Sequence, residues 1–299
     1  MNGVDFMFNE DKKFKLKDSQ NFLYSKKLVD ELIRKSNICK DDIVIEIGGG
    51  KGIITKQLLE KCKKLYVIEY DFYLYKNLKE KFSDAKNIEI VHGDFLEFEL
   101  PREYKYKVFS SIPYNITAAI LSKLTFSYNP PEDVYIIIQE EAARKYAGAP
   151  YNRESMRSLL LKPYFEFKII RRLKRTDFTP VPKVDSVFLH IKKSENILIE
   201  QDKEKLYYDF VSYIFSNSGQ DMKSRCKHIF SYRQIERLSR DIGFKITDRP
   251  TYLSYEQWLK VFQYFVIGVS DDKKKLVYNS YLKLLEEQSK IDKIHRSRI

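Results

Sequence analysis

No run of apolar residues in this chain is long enough to cross a bilayer, so it offers no candidate transmembrane helix. The opening stretch MNGVDFMFNEDKKFKLKD mixes charges throughout and lacks the apolar core of a secretory signal. Cysteines are scarce: Cys39, Cys62 and Cys226 are far apart and odd in number. They build neither a disulfide framework nor a zinc cluster, and a reducing cytoplasm is the expected setting. Four scattered histidines, His92, His190, His228 and His295, show no metal-ligand spacing, so no metal is expected. Internal repeats and low-complexity tracts are missing as well.

What is present is an apolar fraction of 43% in 299 residues, enough for one large domain and a smaller one. Lys and Arg number 54 against 42 Asp and Glu, a net charge of +12. That excess favours a polyanionic partner, nucleic acid ahead of an anionic membrane, although a solubilising surface would carry the same charge. The 22 tyrosines and 20 phenylalanines supply a core and, beside lysine, rings able to stack on bases.

Short β-branched runs alternate with amphipathic stretches over the first two-thirds. DIVIEIG (42–48), KLYVIEY (64–70), NIEIVHGD (87–94), YKVFSSI (106–112) and DVYIIIQ (133–139) read as strands. ITKQLLEKC (54–62), FYLYKNLKEKF (72–82) and residues 117–126 read as helices. This alternation predicts a parallel sheet with helices on both faces. Residues 162–178 and 184–191 read as extended. Beyond about residue 196 the apolar spacing turns to three and four, which predicts an all-helical part. The expected divisions are 1–195 for a cofactor-binding catalytic domain, 196–269 for a helical RNA-recognition domain and 270–299 for a charged basic tail. A solvated helix is preferred over an RNA-touching arm for that tail.

The motif EIGGGKG (46–52) follows the first of these strands and opens the helix after it. Its glycines allow a sharp turn and a close backbone approach to a ligand. The spacing is neither the dinucleotide G-x-G-x-x-G nor the triphosphate G-x-x-x-x-G-K-[ST]. Glu69 ends the next strand, where a carboxylate can accept the hydroxyls of a ribose, and Asp94 follows the third strand. Together they point to an adenosyl cofactor, and S-adenosylmethionine fits better than NAD because it needs no pyrophosphate site. The fourth strand ends in SIPY (111–114). Pro113 stops the strand, and Tyr114 offers a flat face to a base. A carbonyl near Ile112 and the side chain of Ser111 could hold an exocyclic amine for methyl transfer by positioning alone.

Six motifs in order, SQNFLYS (19–25), EIGGGKG (46–52), VIEYD (67–71), HGDFLEF (92–98), SIPYNIT (111–117) and FTPVPKVDS (178–186), resemble the rRNA adenine N6-methyltransferases. That family includes the erythromycin-resistance (Erm) methylases and the small-subunit KsgA type, and the likeness spans roughly residues 15–265. It implies a Rossmann-like class I methyltransferase sheet with a smaller all-helical C-terminal domain. It also implies Gln20, Asn21 and Leu23 against the cofactor, and Gly48, Gly50, Glu69, Asp94 and Ser111 around it. Ser111, Ile112, Pro113 and Tyr114 would receive the target adenine, and Phe178 would help hold it. IPYNIT followed by VYIIIQEEAARKYAG is similar to the Erm branch, which implies an adenosine of 23S rRNA near the macrolide site and antibiotic resistance as the outcome. Naked or precursor RNA is the expected substrate, because a flipped base must be reachable, and a monomer is the expected state. A small-subunit dimethylase or a non-catalytic rRNA-binding factor on the same fold are the alternatives. Ser111 departs from the family's usual Asn, which puts the rate and the mono- or dimethyl product in question. A DNA adenine methylase is disfavoured, since no acidic residue precedes Ile112-Pro113.

Between 162 and 183, seven basic residues (Lys162, Lys168, Arg171, Arg172, Lys174, Arg175, Lys183) outnumber Glu166 and Asp177. Arg171, Arg172, Lys174 and Arg175 are therefore candidates for a phosphate track, with a charged protective β-edge as the alternative.

Overall fold

The computed structural model describes residues 21–287, which leaves Gln20 and the basic end after 287 outside the described residues. The chain forms two compact units, the first running to Ala143 and resuming over Glu166–Lys193. The second holds Arg144–Phe165 and the described residues from Ser194 on. Among the described residues no helix is long and apolar enough to cross a membrane.

The first unit begins with β1 (Phe22–Leu23), α1 (Lys26–Arg34), β2 (Ile43–Ile47), α2 (Ile53–Leu59), β3 (Lys64–Glu69) and α3 (Phe72–Lys81). It continues with β4 (Ile88–His92), β5 (Lys107–Ser111), α4 (Thr117–Thr125) and β6 (Asp133–Gln139). Most of these bounds fall within a residue or two of the expected ones. After β6 come α5 (Glu140–Ala147) and α6 (Met156–Leu161), then β7 (Phe165–Leu173), β8 (Phe178–Thr179) and β9 (Ser186–Lys193). The main sheet has seven strands in the order β4-β3-β2-β5-β6-β9-β7. β4, β3, β2, β5 and β6 run parallel, and β9 joins β6 antiparallel. β2, buried from Val44 to Ile47, is apolar on both faces except at Glu46, as expected of a parallel strand with helices on both sides. Local chemistry starts those helices: Ser25 caps α1 through Leu28 N, and Asp71 caps α3 through Tyr73 N and Leu74 N.

At the N-terminal edge of the sheet a polar cluster replaces apolar packing. Asp133 opens β6, is buried, and holds His190 Nε2 at 2.6 Å and Asn37 Nδ2 at 2.9 Å. Lys107 donates to Asp42 at 2.9 Å beside them. Burial works against the charge on Asp133, but the bonds from His190 and Asn37 outweigh it and hold the carboxyl below the usual carboxylate range. Its stabilisation is therefore present above the unfolded-state value of about 3.9 and is lost as pH falls from there through the lowered folded-state value. Asp133→Asn should cost about 2 kcal/mol at pH 7. The gap in melting temperature from the native protein should close below about pH 4; a gap unchanged at pH 3 would contradict this account.

The second unit adds α7 (Glu204–Ser216), α8 (Met222–Cys226), α9 (Tyr232–Ile242), α10 (Tyr255–Gly268) and α11 (Asp271–Lys275). Its core is aromatic, built on Tyr207, Phe210, Trp258, Phe262 and Phe265. Trp258 Nε1 donates to the Pro250 carbonyl and Tyr207 to that of Leu159, so these two buried polar atoms find partners. Two findings differ from the expected divisions. Residues 144–165 belong to this unit, because α6 places Leu159 and Leu160 in its aromatic core. The segment after 270 does not stand apart either: Val277 is buried, and the buried Asp209 carboxylate accepts from Asn279 N and Tyr281 N.

Candidate active site

Strand order decides where a ligand can enter. From β2 the chain builds outward through β3 and β4 on one side, and through β5 and β6 on the other. The reversal between β2 and β5 opens a crevice at the C-terminal ends of these strands. Pairing of β2 with β3 continues to Ile47↔Ile68, whereas pairing of β2 with β5 ends at Ile45↔Val108. Beyond that point a fully buried Ser110 donates its hydroxyl to the Ile47 carbonyl, bridging the parting strands.

EIGGGKG leaves β2 at this crevice. Gly50 has φ +55°, and a Cβ there would lie 2.9 Å from the Phe22 ring, so only glycine fits. Its N–H donates to Glu69 Oε2 at 2.8 Å, while Glu69 Oε1 accepts from Asp71 N at 2.9 Å. Glu69 is 2% exposed. Burial pushes its carboxyl up, and the two N–H groups oppose that shift. Each oxygen keeps a further lone pair for a ligand. Glu46, the strand residue ahead of the glycines, is 1% exposed, and neither carboxylate oxygen has a hydrogen-bond partner. Burial raises it to about 8, Thr55 beside it opposes the shift without reaching good hydrogen-bond geometry, and the nearby Glu69 carboxylate pushes it further up. An unsatisfied buried carboxyl is costly, and it marks a place suited to a cationic ligand group.

Asp94 follows β4, where Gly93 N bonds the Glu69 carbonyl at 3.0 Å, and its Oδ1 accepts from Leu96 N at 2.9 Å. Ser111 closes β5, Ile112 is buried, and Pro113 leads into a single 3-10 turn, Tyr114–Ile116. The Tyr114 ring is half-buried, and its hydroxyl lies 2.5 Å from Ser186 Oγ. Burial raises the pKa of that hydroxyl, with the Ser186 bond opposing. β1 and β8 form a separate antiparallel pair, Phe22↔Thr179 and Leu23↔Phe178, which brings the first and last motifs together. The Phe22 ring rests against the glycine turn, with Lys51 Nζ 5.4 Å from its centroid.

Gly48, Gly50, Glu69, Asp94 and Ser111 thus end adjacent strands on one edge of the sheet, with half-buried Asn21 just before β1. Three sets of the expected residues lie in surroundings that the sequence did not show. Phe178 is 1% exposed and belongs to the core, so its ring is not an open face for a base. Leu23 is buried opposite it and packs in the same core. In the basic run Arg171 pairs with Glu31, Arg172 with Glu140 at 2.8 Å and Arg175 with Asp185 at 2.8 Å. Of those four side chains only the Lys174 ammonium meets no carboxylate among the described residues, while its backbone N–H donates to Asp177 Oδ2 at 2.8 Å. Three residues went unread in the sequence: Glu46, Ser110 and Phe22. An acid inside the buried run IVIEI was a usable signal for the first, and the SQNFLYS motif itself contains the third.

The family model described as "Ribosomal RNA adenine dimethylase" matches residues 11–266. An rRNA adenine N-6-methyltransferase of Bacteroides fragilis is 33% identical over 245 residues, covering 81% of this chain and 90% of that protein. A ribosomal RNA small subunit methyltransferase A of Sulfurihydrogenibium sp. is 30% identical over 249 residues, covering 81% of this chain and 93% of that protein. Among solved structures, the 23S rRNA methyltransferase ErmE is similar with a TM-score of 0.75 and 29% identity, over 82% of this chain and 100% of that one.

Proposed function

We infer the function from one premise: the chain belongs to the family of ribosomal RNA adenine dimethylases, as its six motifs led us to expect. It is an rRNA adenine N6-methyltransferase. We propose that its methyl donor is S-adenosylmethionine and its target an adenosine of 23S rRNA near the macrolide site. In this reading it acts as a cytoplasmic monomer on naked or precursor RNA and confers macrolide-type resistance. The observation that carries the reading is the crevice between β2 and β5, with an adenosyl-type acceptor set on one wall and SIPY on the other. The 23S choice is supported by the Erm-like IPYNIT segment and by the likeness to ErmE over the whole of that structure. The small-subunit reading stands second, on the relative of that name at 30% identity.

The residues present suit the cofactor. The backbone at Gly48 and Gly50 would lie along its methionine portion, and the unpartnered Glu46 carboxyl matches an ammonium. Glu69 has lone pairs for ribose hydroxyls, and Asp94 for an adenine amino group. When bound, S-adenosylmethionine supplies a methyl group activated by a sulfonium leaving group. Ser111 Oγ and the carbonyl at Ile112 would accept the two N6–H bonds of the target. Its lone pair is thereby aimed at the methyl carbon, and the growing positive charge on nitrogen is stabilised. Ser111 Oγ and the Ile112 carbonyl would keep hold of N6 as it takes up the methyl group, and its surplus proton would pass to water. Tyr114 stacks on the extruded base. Phe178, withdrawn into the core, backs Leu23 and the β1–β8 pair instead.

Two measurements follow. Because Glu46 sits near 8 when alone, a cation beside it should pull it down and release close to one proton per cofactor bound at pH 7. Calorimetry in buffers of different ionisation enthalpy reads that number, and Glu46→Gln should erase it. In RNA binding, Lys174→Ala should lower the slope of log affinity against log salt by about one. Arg172→Ala and Arg175→Ala should do less, since carboxylates already neutralise both cations. Equal slopes for all three would return the arginines to the phosphate track.

The deciding experiment expresses the protein in macrolide-susceptible bacteria and maps N6-methyladenine on both rRNAs. A new mark on 23S rRNA with resistance supports the reading. A mark confined to 16S rRNA selects the second one, and no mark on either sinks both.

A further inference from the structure

Ser186 does nothing in the mechanism above, yet it holds one end of a short side-chain hydrogen bond to Tyr114, 72 residues away in sequence. It is 1% exposed and opens β9. Its backbone is set by register: Gln139↔Ser186 ends a ladder between β6 and β9 that starts at Asp133↔Lys192. The residue before it is held twice, since the Asp185 carbonyl accepts from Glu140 N at 2.9 Å and its carboxylate from Arg175 Nε at 2.8 Å. Ser186 Oγ is therefore a fixed point in the sheet. Tyr114 is not, because it sits in a single 3-10 turn and keeps two soft torsions. A ring that stacks on an extruded purine must lie in one place, and the bond at the para position fixes the ring's far end and so its long axis, while a phenol's preference for hydrogen bonds near the ring plane disfavours tilt.

We propose that Ser186 is a positioning residue for methyl transfer, fixing through its hydroxyl the far end of the Tyr114 ring and so the place where that ring meets the target adenine. The inference rests on the reading of Tyr114 as the stacking face. It also explains how the last motif, FTPVPKVDS, serves the reaction although its aromatic residue is buried.

The test is a double-mutant cycle of Ser186→Ala and Tyr114→Phe, assayed on a short rRNA fragment alongside cofactor affinity by calorimetry and melting temperature. Each single variant should lower kcat about tenfold, with KM for RNA within twofold and cofactor affinity unchanged. The double variant should be no slower than either single one, since all three lack the same bond. Tyr114→Phe reaches that bond from the half-buried side, so a Ser186 variant that fails to fold leaves the test intact. A kcat within twofold of native for Tyr114→Phe overturns the inference, as do losses that multiply in the double variant. A lowered melting temperature with normal kcat assigns Ser186 a purely structural role and overturns it too. If the native protein binds cofactor and methylates no rRNA, the functional reading falls first and this inference with it.

Discussion

Glu69→Ala is expected to weaken S-adenosylmethionine binding at least a hundredfold, as read by titration calorimetry. The carboxylate is buried and closes the glycine turn by accepting Gly50 N while also accepting Asp71 N. Alanine leaves both donors without their acceptor, which costs the fold about 1–3 kcal/mol each, and removes the acceptors proposed for the ribose. Two hydrogen bonds from ribose hydroxyls to a charged acceptor are worth about 1.5–3 kcal/mol each, and since about 1.4 kcal/mol is a factor of ten their loss accounts for the hundredfold. Glu69→Gln keeps one acceptor oxygen for Gly50 N and should fall between the two. Affinity within threefold of native in the alanine variant would remove Glu69 from the cofactor site and with it the adenosyl reading.

Tyr114→Ala should leave cofactor binding intact and lower methyl transfer to RNA about a hundredfold. Base–aromatic stacking is worth about 1–3 kcal/mol, and the ring is also what holds the extruded base near the donor methyl. Single-turnover transfer with cofactor in excess measures this directly. The split between normal cofactor affinity and lost transfer separates a substrate-side role from general damage to the crevice. Transfer within threefold of native would mean the base is held elsewhere.

Much of the fold was legible because its signals are local. β2 to β6 and their helices follow from runs of β-branched residues alternating with amphipathic stretches, and the observed bounds fall close to those read from the sequence. The glycine turn, Glu69, Asp94 and SIPY were legible as chemistry for a related reason: each lies at or just past a strand end, where a parallel sheet presents its ligands. Other features were not. Short elements such as β1 and β8 exist only because each pairs with the other across the chain. Helix α6 was missed for want of length, since Met156–Leu161 is too short for periodicity to declare itself.

By itself the sequence determined the order of strands and helices and the reactive groups that end four successive strands, because those depend on neighbours a few positions apart. Only the tertiary structure decided that Phe178 is core, that three arginines are already matched to carboxylates, that Glu46 is left without a partner and that Tyr114 meets Ser186. Each of these is a contact, or a missing contact, between side chains from different elements. It is set by strand order, register and burial, none of which is written into a local stretch of residues.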